Sequence, residues 1–250
     1  MVALLALKDV HVRVEGKEVV KGVSLSLERG KVHVLMGPNG SGKSSLAYAL
    51  MGHPRYEITK GDVLFEGTSL LGLSVHERSR KGIFLSFQHP VAVEGVSVTN
   101  MLRAALQARG GGRVPFIRFR KQLVAAASAL GIPESFLDRN LNEGFSGGEK
   151  KKFELLQLLV LDPKLAILDE IDSGLDIDAL KVVAKGVNTF LSSDKAVLII
   201  THYKRLLDHC RPDRIFILKD GKVVQEGDGS LADHLEEKGY AWLEEGRGGS

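Results

Sequence analysis

The stretch that most constrains this chain is Gly37–Ser44, GPNGSGKS, which fits the pattern G-x-x-x-x-G-K-[ST]. The apolar run Val32–Met36 precedes it, and Ser45–Leu50 follows as the start of a helix. Strand, Gly-rich turn and helix is the context in which that pattern cradles the phosphates of a nucleotide. Gly37, Gly40 and Gly42 let the backbone curl so that N–H groups point inward at phosphate oxygens. Pro38, Asn39, Ser41 and Ser45 complete the cradle, and the helix dipole acts on the same anion. Lys43 is placed to reach the β/γ-phosphates as a point charge, and the Ser44 hydroxyl to ligate Mg²⁺. The alternative, a Gly-rich turn that happens to carry Lys-Ser, is disfavoured by the flanks.

At 250 residues the chain can bury a full core as one α/β domain, with or without an insertion. A net charge of +3 gives no electrostatic case for nucleic acid or an anionic membrane. Cys210 is the only cysteine, so an intramolecular disulfide is excluded and an oxidising compartment has no support. No apolar run approaches the ~18 residues of a membrane-spanning helix. The opening MVALLALKDVHV lacks the basic start of a signal peptide. The expectation is a soluble, cytoplasmic protein without membrane insertion.

Alternation predicts an antiparallel hairpin from Ala3–Val14 and Glu18–Leu27 around the turn Glu15-Gly16, at the edge of the nucleotide sheet. Gly61–Gly67 and Gly82–Phe87 read as short strands, and Ser69–Lys81 as a polar helix. From His89 to about Glu143 the pattern turns helical, clearest at Val98–Ala108 and Lys121–Leu130, with no strand alternation of useful length. This reads as a helical insertion. Beyond it, Tyr203–Cys210 reads as a helix, Arg214–Leu218 as a strand, Asp220-Gly221 as a hairpin turn and the charged tail from Leu231 as helical.

Two further stretches carry chemistry. Ser146 and Glu149 have capping-box spacing ahead of the helix Lys150–Leu161, with Phe153, Leu156, Leu159 and Val160 expected on one side. Gly147 and Gly148 weaken that helix by roughly 1 kcal/mol each against alanine, and what they supply is bare N–H groups at a positive helix end. Leu165–Leu168 is a buried parallel strand delivering Asp169 and Glu170 to its C-terminal end, where α/β proteins place ligand groups. Asp169 is placed to hold Mg²⁺, and Glu170 to polarise a water attacking the γ-phosphate. Three lysines, Lys150–Lys152, read as a solvated face, with one of them expected to pair with Glu170 or Asp172.

In their order, the phosphate loop, Gln88, Phe145–Glu149, Ile167–Glu170, Ser173–Asp176 and His202 resemble the ATP-binding-cassette ATPases, from Leu4 to about Gly229. The resemblance implies an α/β fold with a mixed central sheet, an antiparallel β edge subdomain and a helical insertion. It implies a single domain, with 1–88 and 144–250 as nucleotide-binding core and 89–143 as helical subdomain. It also implies ATP and Mg²⁺ as cofactors. Gln88 would touch Mg²⁺ or the attacking water, and His202 the γ-phosphate. Ser146, Gly147 and Gly148 would bind ATP held by a second copy, with Asp176 meeting that copy's phosphate loop in a head-to-tail dimer.

The family's aromatic residue for adenine is missing, since no Phe, Tyr or Trp occurs between Met1 and Met36. The wording Asp169–Leu180, DEIDSGLDIDAL, resembles the SufC branch of that family, the ATPases of the Suf iron–sulfur cluster assembly machinery. That resemblance implies SufB- and SufD-like scaffold proteins as partners, docked through the helical insertion. Cys210 with His209 beside it cannot supply four cluster ligands, so it is expected to be a small buried hydrophobe in a helix. A permease-bound transport motor and a slow nucleotide-gated clamp remain the alternatives.

Overall fold

The computed structural model describes residues 3–86, 91–112, 114–240 and 242. The chain opens with β1 (Ala3–Val14) and β2 (Lys17–Glu28), an antiparallel pair. β3 (Val32–Met36) runs into the phosphate loop, which leads to α1 (Lys43–Met51). β4 (Tyr56–Phe65) then returns to pair with β1, and the two-residue β5 (Thr68–Ser69) pairs with β4. β4 starts five residues before the expected strand, with Tyr56 and Ile58 half-buried against the core while Glu57, Thr59 and Lys60 are exposed.

The helix expected over Ser69–Lys81 is only α2 (Val75–Lys81). The residues before it form β5 and a turn, and Ser74 with Glu77 makes a capping box that fixes the start. β6 (Ile83–Ser86) follows. In the insertion, the short β7 (Val93–Ser97) leads into α3 (Val98–Leu106), a π-type turn at Gln107–Gly111 and α4 (Phe116–Ala129). A 3₁₀ turn at Glu134–Asp138 precedes β8 (Asn140–Leu141), which pairs antiparallel with β7. The insertion thus contains a strand pair at its root, too short for alternation to reveal.

α5 (Gly147–Leu161), β9 (Leu165–Asp169), α6 (Ile177–Phe190) and β10 (Ala196–Ile200) complete the centre. β11 (Arg214–Lys219), β12 (Lys222–Gly227) and α7 (Ser230–Lys238) follow. The central sheet has the order β12-β11-β3-β10-β9-β6, with β12 antiparallel at one edge and the other strands parallel. The first hairpin lies in a separate four-stranded sheet, β2-β1-β4-β5.

Every residue of β3, β9 and β10 is buried, as a sheet covered on both faces requires. Alternation divides them between two cores. Val34, Leu168 and Ile199 join α3–α6 and the insertion residues Leu102, Phe119 and Leu123. Leu35, Ile167 and Leu198 face α1 and the first sheet. α5 is covered on more than one side, so Leu155 and Leu158 are fully buried with Phe153 and Leu156, whereas Leu159 and Val160 are half-buried.

Tyr203–Cys210 forms successive turns, with Leu207 bonded to Lys204 and Cys210 to Leu206. Cys210 is fully buried, as expected, and burial pushes its thiol up to about 12, which makes it unreactive. Among the described residues no helix is long and apolar enough to cross a membrane.

Candidate functional site

The adjacency β3-β10-β9 brings three strand ends together, and these carry the phosphate loop, His202 and Asp169-Glu170. Ligand groups collect at such carboxyl ends in parallel sheets. At the loop's root a Cβ on Gly37 would lie 2.0 Å from the Leu218 carbonyl oxygen, so no other residue fits. α1 has no side-chain cap and no acidic residue in its first turn, which leaves its N–H groups for an external anion.

Lys43 is buried, and its ammonium donates to the carbonyls of Gly37 at 2.8 Å and Pro38 at 3.0 Å. Burial pulls its pKa below the ordinary lysine value, opposed by the charges of Glu170 and Asp169. The Ser44 hydroxyl donates to Asp169 Oδ1 at 3.2 Å. Asp169 Oδ2 is buried with no hydrogen-bond partner among the described residues, and burial pushes the carboxyl up to about 6. A hydroxyl beside a buried carboxylate suits a small divalent cation. Among the described residues no group of three His, Cys, Asp or Glu could hold a metal alone. Mg²⁺ is usually bound by one or two protein oxygens together with phosphate oxygens and water, a requirement that Ser44 and Asp169 fit.

Glu170 has φ 49°, a left-handed conformation that costs a non-glycine residue on the order of 1 kcal/mol. Three backbone-directed bonds hold it. Its N–H donates to Ile200 at 2.9 Å, and its carbonyl accepts from Ser173 N–H at 3.1 Å and from Lys151 Nζ at 2.9 Å. Its Oε1 lies 3.6 Å from His202 Nδ1. The His202 ring packs against Tyr203 at a tilt of 45°, while Thr201 anchors the turn by donating to Asp172 at 2.7 Å. Glu170 and His202 share one cleft of about 480 Å³ with Asn39–Ser45 and Val19. A larger hollow near Lys204 is spoken for, since that ammonium pairs with Asp208, Asp233 and Glu236.

Ser146, Gly147, Gly148 and Asp176 do not line this cleft. Ser146 caps α5, accepting from Glu149 N–H at 3.2 Å while Glu149 accepts from Ser146 N–H at 2.7 Å. A Cβ on Gly147 or Gly148 would meet nothing within 4 Å. Asp176 is exposed and caps α6, accepting from Ala179 N–H at 2.8 Å. Gln88 lies outside the described residues. Val19 is the only residue of the first hairpin that lines the cleft, in keeping with the missing aromatic.

The lysine triplet differs from expectation. Lys151 is buried, and it bonds the main-chain carbonyl of Glu170 rather than a carboxylate. Its helical spacing to Leu155 and Leu158 marks it as core-facing, a signal the charge run conceals. A second contact has no local signal at all: the Tyr240 hydroxyl accepts the N–H of Gly37 at 3.1 Å.

Comparison with known proteins agrees with this geometry. A family model described as ABC transporter matches residues 20–173. A probable ABC transporter ATP-binding protein of Streptococcus pyogenes serotype M3 is 49% identical over 243 residues, covering 96% of this chain and 95% of that protein. Vegetative protein 296 of Bacillus subtilis is 47% identical over 243 residues, covering 96% and 93%. The probable ATP-dependent transporter ycf16 of Pyropia yezoensis is 48% identical over 244 residues, covering 96% and 97%. The solved ATP-binding subunit of an ABC transporter superposes with a TM-score of 0.80 at 24% identity, covering 96% and 99%. A dimeric cassette in a post-hydrolysis state with ADP and Pi gives 0.78 at 22%, covering 90% and 98%. At those identities the structural likeness is one of fold. The sequence relatives and the family match go further, and place this chain in the ABC transporter family as an ATP-hydrolysing cassette that takes ATP with Mg²⁺.

Proposed function

We propose that the chain is the SufC-like ATPase of a soluble iron–sulfur cluster assembly complex, working with SufB- and SufD-like scaffold proteins. The observation that carries the mechanism is the placement of Gly147 and Gly148. They open α5 away from the cleft with the phosphate loop, and among the described residues no neighbour within 4 Å requires them to be glycine. Ser146 takes the Glu149 N–H, and the N–H groups of Gly147 and Gly148, without side chains over them, suit the γ-phosphate of ATP held by a second copy, packed head to tail.

Within one copy, the loop N–H groups and Lys43 bind the phosphates, with Lys43 leaving the carbonyls of Gly37 and Pro38 to do so. Ser44 and Asp169 hold Mg²⁺, which when bound neutralises charge on the phosphate oxygens. Glu170 orients the attacking water and takes its proton, and His202 steadies the γ-phosphate beside it. Gln88 is assigned to the same centre. Residues 1–88 and 144–250 act as the nucleotide core, and 89–143 as the arm that carries closure to the scaffold. The cluster-assembly role is supported by the wording Asp169–Leu180. Location in the cytoplasm belongs to the same proposal.

A second reading is the motor of a membrane transporter, favoured by relatives named as a probable ABC transporter ATP-binding protein and a probable ATP-dependent transporter. A tagged pull-down from the native host, with soluble and membrane fractions kept apart, separates the two. Recovery with two related scaffold proteins in the soluble fraction is the expected result. Recovery with an integral permease would replace the assembly role and leave the catalytic residues as assigned.

A further inference from the structure

We infer that Tyr240 is a positioning residue for the phosphate loop, through which the segment after α7 sets the affinity for nucleotide. Gly37 is buried at the root of the loop and its N–H donates to the Tyr240 hydroxyl at 3.1 Å, across 203 residues of sequence. The other side of Gly37 is fixed differently, its carbonyl accepting from Lys43 Nζ at 2.8 Å. Phosphate competes for that ammonium, so the Lys43 bond is the one that ligand binding gives up. The sequence pattern assigns the Gly37 N–H to the phosphate cradle, but in the fold it is taken by Tyr240 and Gly37 does not line the cleft, so this bond does not compete with phosphate.

The same end of the chain braces the loop at a second point. Gly221, in the turn between β11 and β12, donates its N–H to the Ser41 carbonyl at 3.1 Å. The loop is thus held at its root by the C-terminal segment and near its tip by the β11–β12 turn. Tyr240 is itself anchored. It packs with Trp242 against the larger apolar core, directly after the Gly239 that ends α7. Burial raises its pKa, so the hydroxyl stays protonated and available at neutral pH.

A loop fixed before ligand arrives loses less freedom on binding, and that advantage appears in affinity rather than in the chemical step. Tyr240→Phe removes only the acceptor and leaves the ring in place. The inference rests on the phosphate loop as the nucleotide site, and is independent of the scaffold partners. Three variants are therefore measured together by calorimetry with Mg–ADP and by steady-state ATPase assay. Lys43→Ala should abolish tight binding; if it did not, the site itself would be misassigned. Tyr240→Phe should raise the Kd and KM about three- to tenfold, the range for one lost hydrogen bond, with kcat within twofold. Amide hydrogen exchange at Gly37 should quicken selectively. An unchanged Kd and unchanged Gly37 protection in Tyr240→Phe would overturn the inference. So would weakened binding in Tyr240→Leu with a normal Tyr240→Phe, because ring packing would then be the whole effect.

Discussion

Lys151 Nζ lies 2.9 Å from the main-chain carbonyl of Glu170, and this bond fastens a helix to the candidate base. Glu170 keeps its left-handed backbone only because its surroundings hold it there. Lys151→Met keeps the bulk and removes the ammonium, and should cost about 1–3 kcal/mol in urea unfolding. Its kcat should fall more than its ATP affinity, since the phosphate loop is untouched. Lys150→Ala and Lys152→Ala, on the more open faces, should stay within about 0.5 kcal/mol of the parent. Equal effects from all three would contradict the special place of Lys151.

His202 sits 3.6 Å from Glu170 Oε1, too far for a hydrogen bond and close enough for both to meet one reacting group. His202→Ala should lower kcat by on the order of 10²-fold with nucleotide binding little changed. A variant with parental kcat would remove His202 from the catalytic centre.

At α5 the signs of stability and activity should separate. Gly148→Ala meets no neighbour and improves helix propensity, so stability should hold or rise by up to about 1 kcal/mol. If a second copy's phosphate must approach this helix end, ATPase should nevertheless fall by on the order of 10²-fold. Thermal unfolding and turnover measured on one preparation decide it, and parental turnover would argue against the shared site.

His33, buried within β3, accepts the Glu28 N–H at 3.0 Å and is thereby held neutral. Burial depresses its pKa from 6.5 to about 4. The unfolded chain therefore binds a proton that the native state does not between about pH 6.5 and 4. The His33 contribution is full above the unfolded value and is lost as pH falls through that window. Stability should decline there with up to one extra proton of slope, about 1.4 kcal/mol per pH unit. His33→Leu should be less stable at pH 7 yet show a shallower acid slope in urea titrations. An unchanged slope would mean that His33 titrates normally.

Much of the site was legible because its residues sit in short local patterns with a mechanical reason. The phosphate loop needs glycine where Leu218 crowds Gly37, and the Ser146–Glu149 box announces the start of α5. The parallel strands are continuous apolar runs. What escaped depends on distant partners. β7 and β8 are set by pairing, not by alternation. Tyr203–Cys210 has helical composition and folds as successive turns. Lys151 hides among two more open lysines, and Tyr240 meets Gly37 only after the whole sheet has formed.

If Glu170 of one copy acts on ATP enclosed by two, removing its charge should stop turnover and leave the ATP-bound dimer closed. Glu170→Gln tests it most directly, by ATPase assay and light scattering with Mg–ATP. The account predicts turnover lowered by at least about 10²-fold, intact ATP binding, and a stable ATP-dependent dimer where the parent is transient. Parental turnover from Glu170→Gln, or tight ATP binding with the variant strictly monomeric, would contradict it.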